Sequence, residues 1–138
     1  LRSPGRFQAT AKRLVELYRK HADEASPAAR EAVTQAWMAS QAYAYNTYGV
    51  AAKIMAGGKI GAEASLNKIF WSELDQRMHE TAMSILSARA ELVPHAPAAK
   101  GVGTWLDGFL FAQSGPIYAG TNEIQRNIIA ERMLGMPK

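Results

Sequence analysis

The chain has 138 residues, 48% of them apolar, with 16 basic and 12 acidic side chains for a net charge of +4. That composition suits one globular domain and excludes a disordered polar chain; the basic residues are scattered, which excludes the clustered footprint of a nucleic-acid binder. There is no cysteine, so disulfides, thiolate metal sites and cysteine nucleophiles are excluded together, and a reducing, cytoplasmic setting is expected.

No stretch reaches the roughly 18 apolar residues of a transmembrane span. The start, "LRSPGRFQAT", lacks the apolar core of a signal peptide. It also lacks an initiator methionine, so a processed product or a fragment of a longer chain is expected.

Ser3-Pro4 gives the first helix start, a capping residue followed by a proline at the first helical position. Phe7, Ala11, Leu14 and Tyr18 recur at helical spacing, which predicts a helix from about 4 to 23. Ser26-Pro27 repeats the start signal. A long alanine-rich helix to Ala56 follows, with Val33, Trp37, Ala44, Tyr48 and Ala51 available for one face and Gly57-Gly58 as its stop. At 1.5 Å per residue it is about 45 Å long. A third long helix is expected from Glu63 to about Leu92. Its stripe is Leu66, Phe70, Leu74, Met78, Ala82 and Ile85, Glu73 and Arg77 form an i, i+4 pair, and Pro94 and Pro97 end it. Val93 to Thr104 reads as loop. A short apolar helix, Trp105 to Ala112, leads into the break at Ser114-Gly115-Pro116, and a last helix runs from Asn122 to Leu134 with Gly135 as its stop. Strand signals are nearly absent. The fold class is all-α, an antiparallel helical bundle in one domain spanning residues 1–138.

Most candidate chemistry fails on spacing. "HETAM" at 79–83 begins like a zinc-protease helix, but Met83 stands where a second histidine must be. No Glu-x-x-His pair offers a di-iron site; no metal is expected. His21, His79 and His95 read as solvated or core-edge. "GGK" at 57–59 is not a P-loop, and "GVGT" at 101–104 follows no strand. Trp37, Tyr43, Tyr45, Tyr48 and the methionines read as core or interface.

The stretch "GPIYAGTNEIQR", residues 115–126, is different. Pro116 fixes φ and Gly120 permits backbone closed to other residues. Thr121 stands at a helix start, its hydroxyl available either to cap or to bind. Asn122, Glu123, Gln125 and Arg126 follow, and a helix start offers N–H groups to an anion or a carbonyl.

The words "IYAGTNEIQRNIIAERMLG" resemble the C-terminal signature of the acyl-CoA dehydrogenases, in which Tyr-Glu-Gly-Thr precedes a polar stretch and Ile-Gln-Arg. "GAEASLNKIFWSE", 61–73, is similar to the family's Ser-x-x-Lys helix start. The resemblance covers nearly the whole chain and implies the family's C-terminal α-helical domain, without its amino-terminal helical and middle β domains. It implies a part in oxidising an acyl-CoA thioester to the 2,3-enoyl-CoA, with FAD taking the hydride and an electron-transfer acceptor beyond it. Tyr118 and Gly120 would lie in the substrate-side loop, and Thr121 and Glu123 would reach FAD. Homo- or hetero-oligomers, tetramers by expectation, are implied, as is bacterial lipid metabolism.

The departures carry equal weight. The family's Gln and Gly-Gly contact to FAD falls on "AMSILSARAEL", with Ser84 and Ser87-Ala88 in those places. "FLFAQSGP" replaces an Arg-Asp pair, as in a subset of bacterial members. Ala119 occupies the place of the usual catalytic glutamate, and a methyl group cannot accept a proton. No catalytic residue is therefore expected here. The base would come from an earlier helix, before Leu1, or from a related subunit in a mixed tetramer such as those of steroid side-chain breakdown. The alternative is a non-catalytic partner subunit or helical assembly module. The domain alone is expected to be inactive.

Overall fold

The computed structural model describes residues 2–93, 95–99 and 102–137. The expected stop at Pro94 and part of the 101–104 loop lie outside them. Among the described residues the order is α1 (Pro4–Lys20), α2 (Pro27–Met55), α3 (Glu63–Leu86), two short 3-10 helices (Ser87–Glu91 and Pro97–Ala99), α4 (Gly103–Ala112) and α5 (Asn122–Arg132), with no strand. The all-α antiparallel bundle is the observed fold.

Pro4 and Pro27 open α1 and α2, but the hydroxyls of Ser3 and Ser26 make no capping bond. The fixed φ of the prolines sets these starts on its own. α2 ends as expected: Gly57 at φ 84 lets its N–H reach Ile54 and that of Gly58 reach Lys53, both at 2.9 Å, which satisfies the last free carbonyls. α3 stops six residues earlier than expected, because Ser87 takes φ 50 and ψ −128 and breaks the ladder before the first 3-10 helix. α4 starts two residues earlier than expected, so Gly103 and Thr104 are helical rather than loop.

α3 is the central element, packed against α1, α2, α4 and α5. Phe7, Leu14 and Leu17 of α1, Val33 and Tyr43 of α2, and Trp71, Leu74, Met78, Ile85 and Leu86 of α3 form the core with Trp105 of α4. The expected stripe of α1 is right, with Leu17 beside the half-buried Tyr18. The others need correction. Trp37 and Tyr48 are 42% and 57% exposed, while Ala36, Ser40 and Tyr43 face inward. Leu66 and Phe70 are also exposed, and Trp71 takes the place expected of Phe70. α2 and α3 each carry more apolar residues than one buried face holds, so the choice is made by which face the neighbouring helices cover.

Candidate functional site

The junction between α4 and α5 is a knot of short bonds. Gly115 N–H donates to Ala112 O, and those of Ile117 and Tyr118 both donate to Ser114 O, all near 3.0 Å. A Cβ on Gly115 would stand 3.0 Å from Ala112 O and 3.4 Å from Ser72 Cβ, so the absent side chain lets the chain run close over α3. Asn122 N–H returns to Pro116 O at 2.9 Å, closing the turn.

Two successive residues inside it are left-handed, Ala119 at φ 56 and Gly120 at φ 84. Alanine holds such backbone at a cost that glycine avoids. Gly120 is needed twice over: a Cβ there would also fall 2.6 Å from Gln125 Nε2, which donates to Ala119 O at 3.2 Å.

Thr121 resolves the choice left open by the sequence in favour of capping, since its Oγ1 accepts from Ile124 N–H at 3.3 Å. With Asn122 N–H bonded to Pro116 and Glu123 N–H facing its own carboxylate, the first turn of α5 holds few free donors. This corrects the expectation that the helix start itself offers N–H groups to an anion. What remains at this edge is the carboxylate of Glu123, whose side chain is 78% exposed, with the Thr121 hydroxyl turned toward it. Its own N–H, then the neighbouring Thr121 hydroxyl, hold that carboxylate below the usual range, with Arg126 and Lys68 adding to the effect.

Tyr118 points back into the domain. Its hydroxyl accepts from Arg2 Nη2 at 2.6 Å, and its ring lies 5.8 Å from that of Trp71. The Arg2 guanidinium stacks at 4.6 Å over Trp71 and 5.2 Å over Tyr118, a geometry favourable for cation–π attraction.

The bonds that hold this edge run between residues far apart in the sequence. Asn122 is buried, and its Oδ1 accepts from Lys68 Nζ at 2.8 Å and Ser72 Oγ at 3.2 Å. Its amide donates to Glu73 Oε1 at 3.4 Å, and Arg126 reaches the same oxygen at 2.7 Å. The expected Glu73–Arg77 pair is thus replaced by Glu73–Arg126, because α5 lies on the Glu73 side of α3. Lys68 is only 8% exposed, and burial pushes its ammonium below the ordinary lysine range, with Glu123 opposing. One turn further along, Asp75 pairs with Arg6 at 3.2 Å, and its carbonyl lies 2.8 Å from His79 Nδ1. His79 is buried rather than solvated. Its ring meets Trp105 edge-on at 5.6 Å, and a Cβ on Gly108 would come within 2.3 Å of its Nε2. The signal was present: Lys68, Ser72, Asp75 and His79 share one face at helical spacing.

The FAD that the resemblance implies would meet these side chains. Thr121 can turn its hydroxyl proton from the Glu123 carboxylate to a ligand while still accepting the capping bond, and Glu123 can accept from a hydroxyl or ring N–H. A carboxylate repels a phosphate, so the pair fits the hydroxyl-bearing or ring portions of such a cofactor and not its pyrophosphate. Among the described residues no group of three or more His, Asp or Glu is placed to hold a metal.

A family model described as the acyl-CoA dehydrogenase C-terminal domain matches residues 1–134. The chain belongs to this family. Over 125 residues it is 33% identical to a protein named acyl-CoA dehydrogenase IpdE1 from Mycobacterium tuberculosis, a match covering 91% of this chain and 31% of that one. A protein of the same name from Mycolicibacterium smegmatis is 31% identical over 128 residues, covering 91% and 30%. This acyl-CoA dehydrogenase domain therefore spans about a third of the length of the curated relatives it matches. Its fold is similar to a solved structure titled Tcur3481-Tcur3483 steroid ACAD, with TM-score 0.85 at 21% identity, over 98% of this chain and 35% of that one. No helix among the described residues is long and apolar enough to cross a membrane.

Proposed function

We propose that this chain is the C-terminal helical domain of a subunit of an FAD-dependent acyl-CoA dehydrogenase that takes an acyl-CoA thioester to its 2,3-enoyl form. The amino-terminal helical and middle β domains would lie elsewhere in the subunit. The observation that carries the reading is the α4–α5 junction. It builds an ordered turn of low-freedom backbone and leaves a hydroxyl and a carboxylate, Thr121 and Glu123, on its outer edge.

FAD, when bound, supplies the hydride acceptor. Thr121 and Glu123 would hold and orient it through hydrogen bonds, and the backbone at Ala119–Gly120 would present the substrate side. No proton acceptor stands at Ala119. Glu123 is a poor replacement: it sits about one helical turn away, and its lowered pKa makes it a weak base. The base is therefore assigned to another segment of the subunit or to a partner. A steroid-derived acyl group is the favoured substrate class, since the similar solved structure is titled a steroid ACAD.

A second reading rests on Ala119 alone: the subunit is a non-catalytic partner whose helical domain serves assembly in a mixed oligomer. Purifying the full-length parent alone and together with neighbouring family subunits tests both. Bound flavin and acyl-CoA-dependent dye reduction in the assembly are the expected result. Turnover by the parent alone eliminates the second reading, and an assembly with neither flavin nor thioester-dependent reduction eliminates the first.

A further inference from the structure

We propose that Arg2 and Lys68 are positioning residues that clamp the Pro116–Thr121 turn at its two ends and so fix where Thr121 and Glu123 stand. The inference deepens the reading that this edge faces a flavin, and rests on it for its functional consequence.

The turn's own bonds are local. Tyr118 N–H, Asn122 N–H and the Gln125 amide all close back within the 114–125 stretch. They define its shape without tying it to the long helices. Two cations add to the Ser72 and Glu73 contacts of Asn122 in supplying that tie, from opposite ends and from positions 116 and 54 residues away. Arg2 takes the Tyr118 hydroxyl at 2.6 Å while stacked on Trp71, and its own carbonyl accepts from Tyr43 Oη at 3.0 Å, so the clamp is itself anchored to α2 and α3. Lys68 takes Asn122 Oδ1 at 2.8 Å, beside Ser72 at 3.2 Å. Between the two anchors lie the left-handed Ala119 and Gly120. Alanine does not hold that conformation unaided, so the ends must be fixed for the middle to stay.

Lys68 is the informative member. Its buried ammonium is in no ion pair among the described residues and donates to a neutral amide. Burying a cation on such terms is unfavourable for stability, and an apolar residue of the same length would fill the space better. What the ammonium adds is direction: it holds the Asn122 side chain, and with it the first residue of α5, in one orientation.

The test uses the full-length parent in its assembly, with Lys68→Met and Arg2→Met as the disruptive variants and Lys68→Arg as the conservative one. Three readouts are taken: hydrogen exchange in peptides covering residues 115–124, visible circular dichroism of the bound flavin, and flavin retained after dialysis. Each disruptive variant should speed exchange across 117–122 about tenfold while peptides of α1 and α2 exchange as in the wild type. Flavin retention should fall several-fold, the flavin dichroism should change, and Lys68→Arg should restore most of both. Wild-type exchange at 117–122 in both disruptive variants overturns the clamp. Faster exchange with unchanged flavin dichroism and retention overturns the positioning role. If Lys68→Met does not fold, Ser72→Ala and Tyr118→Phe, each removing one hydroxyl, carry the same test with about threefold effects, and wild-type exchange in both overturns the proposal. If the wild-type assembly holds no flavin, the reading of the site fails, while the exchange data still decide the clamp.

Discussion

α2 leaves Trp37, Met38, Tyr45 and Tyr48 exposed, whereas α3, of comparable length, buries Lys68, Ser72, Asp75 and His79. One helix carries more apolar surface than its neighbours cover, and the other places polar groups where apolar ones would pack. The difference follows from position. α2 packs against α1 and α3, and its outward aromatic residues keep 42% to 74% of their surface exposed. α3 is surrounded, so its polar groups spend their hydrogen bonds on what surrounds it: Arg6 of α1, Asn122 and Arg126 of α5, and a tight contact with Gly108 of α4.

The largest expected effect sharpens this contrast. Leu74→Ala should cost about 2–5 kcal/mol in a urea titration, because Leu74 is wholly buried. Tyr45→Ala should cost within about 0.5 kcal/mol in the same chain, since its side chain is 74% exposed. Equal losses would abolish the distinction between the helices.

Next comes an asymmetry within one bond. Asn122→Ala strands the buried Lys68 ammonium and should cost about 1–3 kcal/mol by denaturant unfolding. Lys68→Met removes the charge along with the bond and should stay within about 1 kcal/mol of the wild type. The reverse order would show that the ammonium serves stability after all.

A smaller effect is expected at the end of α3. Ser87 holds φ 50 without being glycine, so Ser87→Gly should stabilise the chain by about 1 kcal/mol. A loss in melting temperature would contradict the strain.

The smallest effect concerns pH. Burial lowers the Lys68 pKa in the folded chain below its unfolded value of 10.5. The unfolded state therefore binds this proton more tightly, and stability from this group rises as pH climbs through the folded value, levelling near the unfolded one. As the pH climbs toward 10.5 from below, the urea midpoint of the wild type should rise relative to that of Lys68→Met. A falling difference would mean that the ammonium is favourably paired.

The helices themselves were legible because Pro4, Pro27, Gly57 and Gly135 act locally, through fixed or positive φ. The faces were less so. Phe70 and Trp71 are adjacent and equally apolar, and only the packed neighbours decide that Trp71 turns inward. At the site, the turn and the Thr121 cap could be read from residue types that act within four positions of themselves. The Lys68–Asn122 bond spans 54 residues, and nothing in either residue's local sequence names the other. Arg126 likewise could pair on its own helix or across to α3, and the 2.7 Å contact with Glu73 depends on how α5 lies.

If the outer edge of the α4–α5 junction holds flavin, flavin retention depends on Thr121 and Glu123. In the full-length assembly, Thr121→Val with Glu123→Ala should lower bound FAD per protomer at least tenfold after dialysis. Thr121→Ser, which keeps both the cap and the hydroxyl, should hold near the wild-type value. Wild-type flavin content in the double variant, with the assembly intact, would mean that flavin is held elsewhere.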